Sequence, residues 1–112
     1  MEIAERRSGD VTILEFSGRL AFGDGDGQAR ERIAAILAVG ERKVLIGLAG
    51  VTALDSSGVG ELVAAHIAAT DVSAEIGLAQ LSPRVAEVLK ITHVIDVFKI
   101  FDSLEEGLVF FS

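Results

Sequence analysis

The chain has 112 residues, half of them apolar, no cysteine and a formal net charge of −7. That length suits one domain with one core, spanning residues 1–112, and the lack of cysteine excludes a disulfide framework and a thiolate metal site. Binding to a phosphate backbone needs a basic patch, so the acidic balance points to protein partners and no nucleic acid. The apolar residues come in short runs, none near the roughly 18 that a spanning helix needs. The start, "MEIAERRSGDVTILEF", has no apolar core behind a basic head, as an export signal would. A cytoplasmic domain with no membrane insertion is the expectation.

"DVTILEFSG" alternates apolar residues at Val11 and Ile13, with Leu14 and Phe16 alongside, as a half-buried strand does, and "MEIAERRSGD" is its hairpin partner across Ser8, Gly9 and Asp10. After the loop "FGDGDGQ" the period changes. Ala29, Ile33, Ile36 and Leu37 fall on one helical face, Arg30, Glu31 and Arg32 on the other, and Gly40 ends the helix. "KVLIGLAGV" is a near-continuous apolar run, which predicts a central strand buried on both faces. From about Ser57 to Ala69, Val59, Leu62, Val63 and Ile67 recur at helical spacing, and "AEIGLAQL" reads as the next buried strand.

Ser82 and Pro83 mark a third helix start, cap and first turn, with Val85, Val88, Leu89 and Thr92 as its apolar face. "VFKIF" is a short strand. Asp102 or Ser103 caps a last helix, with Glu105 or Glu106 as the capping-box partner. Its end, "LVFFS", reads as core packing, the alternative being an apolar edge through which a homodimer would form. Strands and helices alternate, which predicts an α/β fold with helices packed on a mostly parallel or mixed sheet.

Few residues offer chemistry. "GDGDG" at 23–27 lacks the lysine and Ser/Thr of a phosphate loop, supplies only two carboxylates and has no closing glutamate of a calcium loop, so it reads as a turn leading into a helix. His66 and His93 lie on different elements with no paired carboxylate motif, and each is expected to be structural. "DSSGVG" is not the G-x-S-x-G elbow of a hydrolase. No acid/base constellation is visible, so no catalytic residue, metal or cofactor is assigned.

Ser56 and Ser57 remain, at a strand-to-helix junction. A serine there can cap the helix, worth about 1 kcal/mol. Gly58 and Gly60 each cost up to about 1 kcal/mol as helix formers, yet they leave a bare turn that another molecule can approach. Spacing alone leaves capping and function open.

"VLIGLAGVTALDSSGVGELVAA" resembles the signature of STAS domains, and specifically of bacterial anti-sigma factor antagonists, whose core reads Asp-Ser-Ser/Ala-Gly-Leu-Gly after such a strand. "FSGRLAFGDG" and "LSPRVAEVLKITHVIDVFKIFDSLEEGL" resemble that family too. The resemblance implies a single STAS domain, a four- or five-stranded mixed sheet with about four helices mainly on one face. It also implies a non-enzymatic switch. Ser57, with Ser56 as second choice, would be phosphorylated by a partner that is both anti-sigma factor and serine kinase. Unphosphorylated antagonist binds that partner and frees the sigma factor, and a PP2C-type phosphatase restores it. Asp55, Ser56, Ser57, Gly58, Val59, Gly60 and Glu61 would form the contact.

A phosphate adds about −1.5 to −2 charges, which the helix N-terminus tolerates. Residues 44–83 contain no lysine or arginine to capture it, so release without refolding is expected. The chain departs from the family pattern at Gly47, at Asp71, Val72 and Ser73, and in the absence of Lys/Arg from the helix after the motif. The alternative implied by the resemblance is an adaptor subunit regulating a transporter or a lipid-transport ATPase, without phosphorylation. A nucleotide-binding role ranks last, since no lysine-bearing phosphate loop is present.

Overall fold

A computed structural model gives the structure of the protein and describes residues 1–23, 25 and 27–112. In chain order the elements are β1 (Glu2–Ser8), β2 (Val11–Leu20), α1 (Gln28–Ala38), β3 (Lys43–Leu54), α2 (Ser56–Asp71), β4 (Glu75–Ala79), α3 (Pro83–Ile91), a 3-10 turn (Val94–Asp96), β5 (Lys99–Phe101) and α4 (Leu104–Phe111). One sheet carries the five strands in the order β1-β2-β3-β4-β5. The β1–β2 hairpin is antiparallel and every later pair is parallel, so this is the mixed sheet expected, with β3 in its centre.

That order decides where the helices go. Each parallel step from β2 to β5 needs a crossover, and crossovers of one hand that advance in one direction leave their helices on one face. Leu14 and Phe16 of β2 and Val44, Ile46 and Leu48 of β3 accordingly pack with Ile33 of α1, Leu62 of α2 and Leu89 of α3 in the main core. Alternation along the strands sends Val11, Ile13 and Leu45 to the opposite face, where they meet Phe111, Leu104 and Leu108 of α4.

The helix starts match the sequence punctuation. Ser82 Oγ accepts from the Val85 N–H at 3.2 Å, with Pro83 in first position. At α4 the cap is Ser103 rather than Asp102. Its Oγ accepts from the Glu106 N–H at 3.1 Å, and the Glu106 carboxylate accepts from the Asp102 N–H at 3.3 Å.

Two expected apolar faces need correction. Ile67 of α2 is exposed, whereas Val59, Leu62, Ala65 and Ala69 are buried. Ile67 lies about 140° round the helix from Leu62, and the small alanines let α2 settle closely on the sheet. Thr92 is exposed and ends α3, its hydroxyl donating to the Val88 carbonyl at 2.8 Å.

The C-terminal run divides. Phe111 is buried while Val109 is 73% exposed, so Phe111 serves the core that α4 completes. Phe111→Ala is expected to cost about 3–5 kcal/mol and Val109→Ala less than about 0.5 kcal/mol, measured by urea denaturation. Equal effects would contradict the packing of α4 against β2 and β3.

Candidate functional site

Central strand β3 runs out at Leu54 and α2 begins at Ser56, leaving one residue to make the turn. Asp55 takes an extended conformation (φ −117°, ψ −174°) and its carbonyl accepts from the Val59 N–H at 2.9 Å, the first bond of the helix. Its carboxylate does two further things. Oδ1 accepts from the Gly58 N–H at 3.0 Å, and Oδ2 accepts from the Phe22 N–H at 3.0 Å, just beyond β2.

The cap of α2 is therefore Asp55, and the capping role offered for Ser56 and Ser57 is not theirs. They are the first two residues of the helix. Ser56 is exposed and Ser57 half-buried. Among the described residues, neither hydroxyl makes a hydrogen bond. An oxygen nucleophile with no structural duty at a helix N-terminus is well placed to carry an anion.

The field around Asp55 favours its charged form. The Gly58 N–H, then the Phe22 N–H, hold its carboxyl below the usual carboxylate range, against a smaller opposing effect of desolvation; the Ser57 N–H and the charge of Arg19 add to the lowering. Arg19 lies on β2, so the fold brings a cation to a motif whose own sequence neighbourhood has none.

The other motif residues separate into an outer and an inner set. Gly60 is open to solvent, with nothing within 4 Å of where a Cβ would stand. Gly58 is different: an added Cβ would lie 2.0 Å from the Leu20 carbonyl oxygen. The expected bare turn is bare only at Gly60, because at Gly58 the chain's own β2 makes the close approach. Val59 and Glu61 are buried. Glu61 turns toward α1, where its carboxylate accepts from the Arg30 N–H at 3.4 Å. Asp55, Ser56, part of Ser57 and Gly60 form the outer surface. Phe22, 77% exposed, stands beside them and was not singled out from the sequence, where it is one aromatic residue in a glycine-rich loop.

The remaining motifs do not converge on this turn. Of the "GDGDG" loop, Asp24 and Asp26 lie outside the described residues; Gly27, at φ 81°, precedes α1 and its carbonyl accepts from the Glu31 N–H at 2.8 Å. His66 packs edge-on to Phe98 with ring centroids 5.5 Å apart, and His93 is exposed in a turn at φ 62°. Among the described residues no group of three or more His, Cys, Asp or Glu side chains is placed to hold a metal. Two hollows of about 390 and 240 Å³ are lined by Lys43 and Phe110 and by His66 and Lys99 respectively, with no residue of 55–61 in either.

The STAS domain family model matches residues 2–107. The chain belongs to the STAS domain family. A STAS-domain containing protein of Pseudomonas aeruginosa is 33% identical over 94 residues, covering 82% of this chain and 89% of its own. Among solved structures, an anti-sigma-factor antagonist (STAS) domain protein from Planctomyces limnophilus is 28% identical with a TM-score of 0.85, covering 98% of this chain and 97% of its own. The Bacillus cell fate determinant SpoIIAA in its phosphorylated form is 17% identical with a TM-score of 0.78, covering 99% and 100%, a likeness of fold. Several structures similar in fold to this STAS domain are anti-sigma factor antagonists, and others are a sulfate transporter family protein and an anion transporter. Among the described residues this STAS domain has no helix long and apolar enough to cross a membrane.

Two outcomes follow for this STAS domain. Gly58→Ala is expected to cost at least about 1–3 kcal/mol, as overpacking does, whereas Gly60→Ala gains up to about 1 kcal/mol of helix propensity; paired denaturation curves distinguish them. Because the folded-state pKa of Asp55 lies below its unfolded value, its contribution to stability is full above about pH 4 and is lost as pH falls through the lowered value. Asp55→Asn is expected to flatten the acid limb of a melting-temperature profile. The slope that remains includes Asp10, lowered chiefly by its hydrogen bond from Lys43.

Proposed function

We propose that this STAS domain is an anti-sigma factor antagonist that docks on its partner through the first turn of α2 and is released when Ser57 is phosphorylated. The observation carrying this reading is that Asp55 performs the capping, so Ser57 can gain or lose a phosphate without the helix gaining or losing its cap. The partner is an anti-sigma factor that is also a serine kinase, and a PP2C-type phosphatase reverses the modification. In the forward step Ser57 Oγ bonds to the γ-phosphorus of ATP held by the kinase. The bond to ADP breaks, and the hydroxyl proton leaves to a base of the kinase.

The phosphate brings about −1.5 to −2 charges to a helix N-terminus that favours an anion, with Arg19 near enough to act on Asp55. The fold keeps its shape and the docking face changes its charge. Reversing occupancy from 99:1 to 1:99 requires about 5.5 kcal/mol, a 10⁴-fold change in affinity. Only a position covered by the partner can supply that, which calls for Ser57 within the contact, with the buried Glu61 behind it. Ser56 is more exposed than Ser57; Ser57 is preferred on the family pattern.

Incubation with ATP and a candidate anti-sigma kinase, read by intact mass and peptide mapping, tests the assignment. Phosphate is expected on Ser57, persisting in Ser56→Ala and absent in Ser57→Ala, with loss of kinase binding on modification. A tight complex with neither serine phosphorylated would overturn the switch in favour of an adaptor role.

A further inference from the structure

Of the large apolar side chains left in water, Phe22, Val39, Ile91 and Val109 are each at least 70% exposed. What distinguishes Phe22 is how its backbone is held. Leu20 and Ala21 just before it are buried, and the Leu20 carbonyl abuts Gly58 so closely that no side chain fits there. Its own N–H donates to Asp55 Oδ2, and the Gly58 N–H donates to Oδ1 of the same carboxylate. One carboxylate therefore holds both the base of an exposed phenyl ring and the helix turn that carries the residue proposed for phosphorylation.

We infer that Phe22 is an apolar anchor of the docking face, positioned by Asp55, and that it fits an apolar pocket of the partner kinase beside the site that receives Ser57. The inference rests on the docking role proposed for α2. Phenylalanine is enriched at interface cores, and a ring on a fixed backbone loses little freedom on binding. The charge pattern sets the character of that pocket. The Asp55 anion is already met by the N–H groups of Gly58 and Phe22 and by the charge of Arg19, so it asks for no counter-cation from the partner. A pocket that closes over Phe22 also strips water from Ser57, and burying an unpaired charge is far more costly than burying a hydroxyl. The anchor thereby turns one added phosphate into release. Asp55 acts through Phe22 and the turn that carries Ser57, as a positioning residue.

The test is calorimetric titration of the unphosphorylated protein with the purified kinase that modifies Ser57. Phe22→Ala is expected to weaken binding about 30-fold or more, Phe22→Leu to keep most of it, and Ile91→Ala and Val109→Ala to stay within about twofold of wild type, as residues outside the contact do. Asp55→Asn keeps an acceptor for Gly58 but not the anion at Phe22, and binding should fall between these limits. Without any partner, the Phe22 and Gly58 amide resonances should titrate in acid with one midpoint, and lose that titration in Asp55→Asn. Wild-type binding unchanged by Phe22→Ala, or weakened equally by all three alanine variants, overturns the anchor. Separate midpoints overturn the positioning by Asp55. Absence of wild-type binding to any such kinase overturns the docking role itself.

Discussion

A single carboxylate organises the turn from β3 into α2 in this domain. Asp55 ends the longest strand, starts the longest helix and holds the chain that leaves β2, all through oxygen atoms that accept backbone N–H groups. Helix N-termini leave donors without intrahelical partners, and here one side chain meets that need and ties in a neighbouring strand end as well. The adjacent serines are relieved of structural work as a result. A side chain free of structural work can be modified, or presented to a partner, without disturbing the fold beneath it.

The sheet anchors this turn. β3 is the middle strand, buried over Val44–Leu48, and its more exposed C-terminal stretch stays paired with β2 out to Leu54 before the chain turns. Gly58 then lets α2 lie directly against the Leu20 carbonyl, a contact that any larger residue would prevent. Strand end, helix start and the Phe22 segment are therefore tied together through Asp55 and Gly58. A phosphate added to such a turn alters the charge it displays more readily than its shape, which suits a switch read by a partner's affinity.

Much of this was legible in the sequence, and the failures share a cause. The central strand was visible in the apolar run around Val44–Leu48, and the helix starts at Ser82 and Ser103 in their capping chemistry. The α/β class followed from the alternation of periods. Ile67 was misplaced because hydrophobicity alone cannot say that two alanines, Ala65 and Ala69, outrank an isoleucine when a helix must approach a sheet closely. The serines were considered as caps because local spacing gives Asp55, Ser56 and Ser57 equal claim; only the extended backbone at Asp55 and the arrival of Phe22 from 33 positions earlier decide it. Glu61 is expected in the partner contact, and its burial against the Arg30 backbone is not legible locally because that partner belongs to another helix. Phe22 and Arg19 entered the site for the same reason, through long-range contacts that a one-dimensional pattern does not contain.

We propose that the hydroxyl of Ser57 is kept for a partner and not for the fold. The stability of the double variant Ser56→Ala, Ser57→Ala tests it most directly, by chemical denaturation against wild type. If Asp55 alone caps α2, the double variant should lie within about 0.5 kcal/mol of wild type, or slightly above it because alanine is the better helix former. A loss of about 1 kcal/mol or more, the usual cost of removing a serine cap, would mean that the serines hold the helix and would contradict the account.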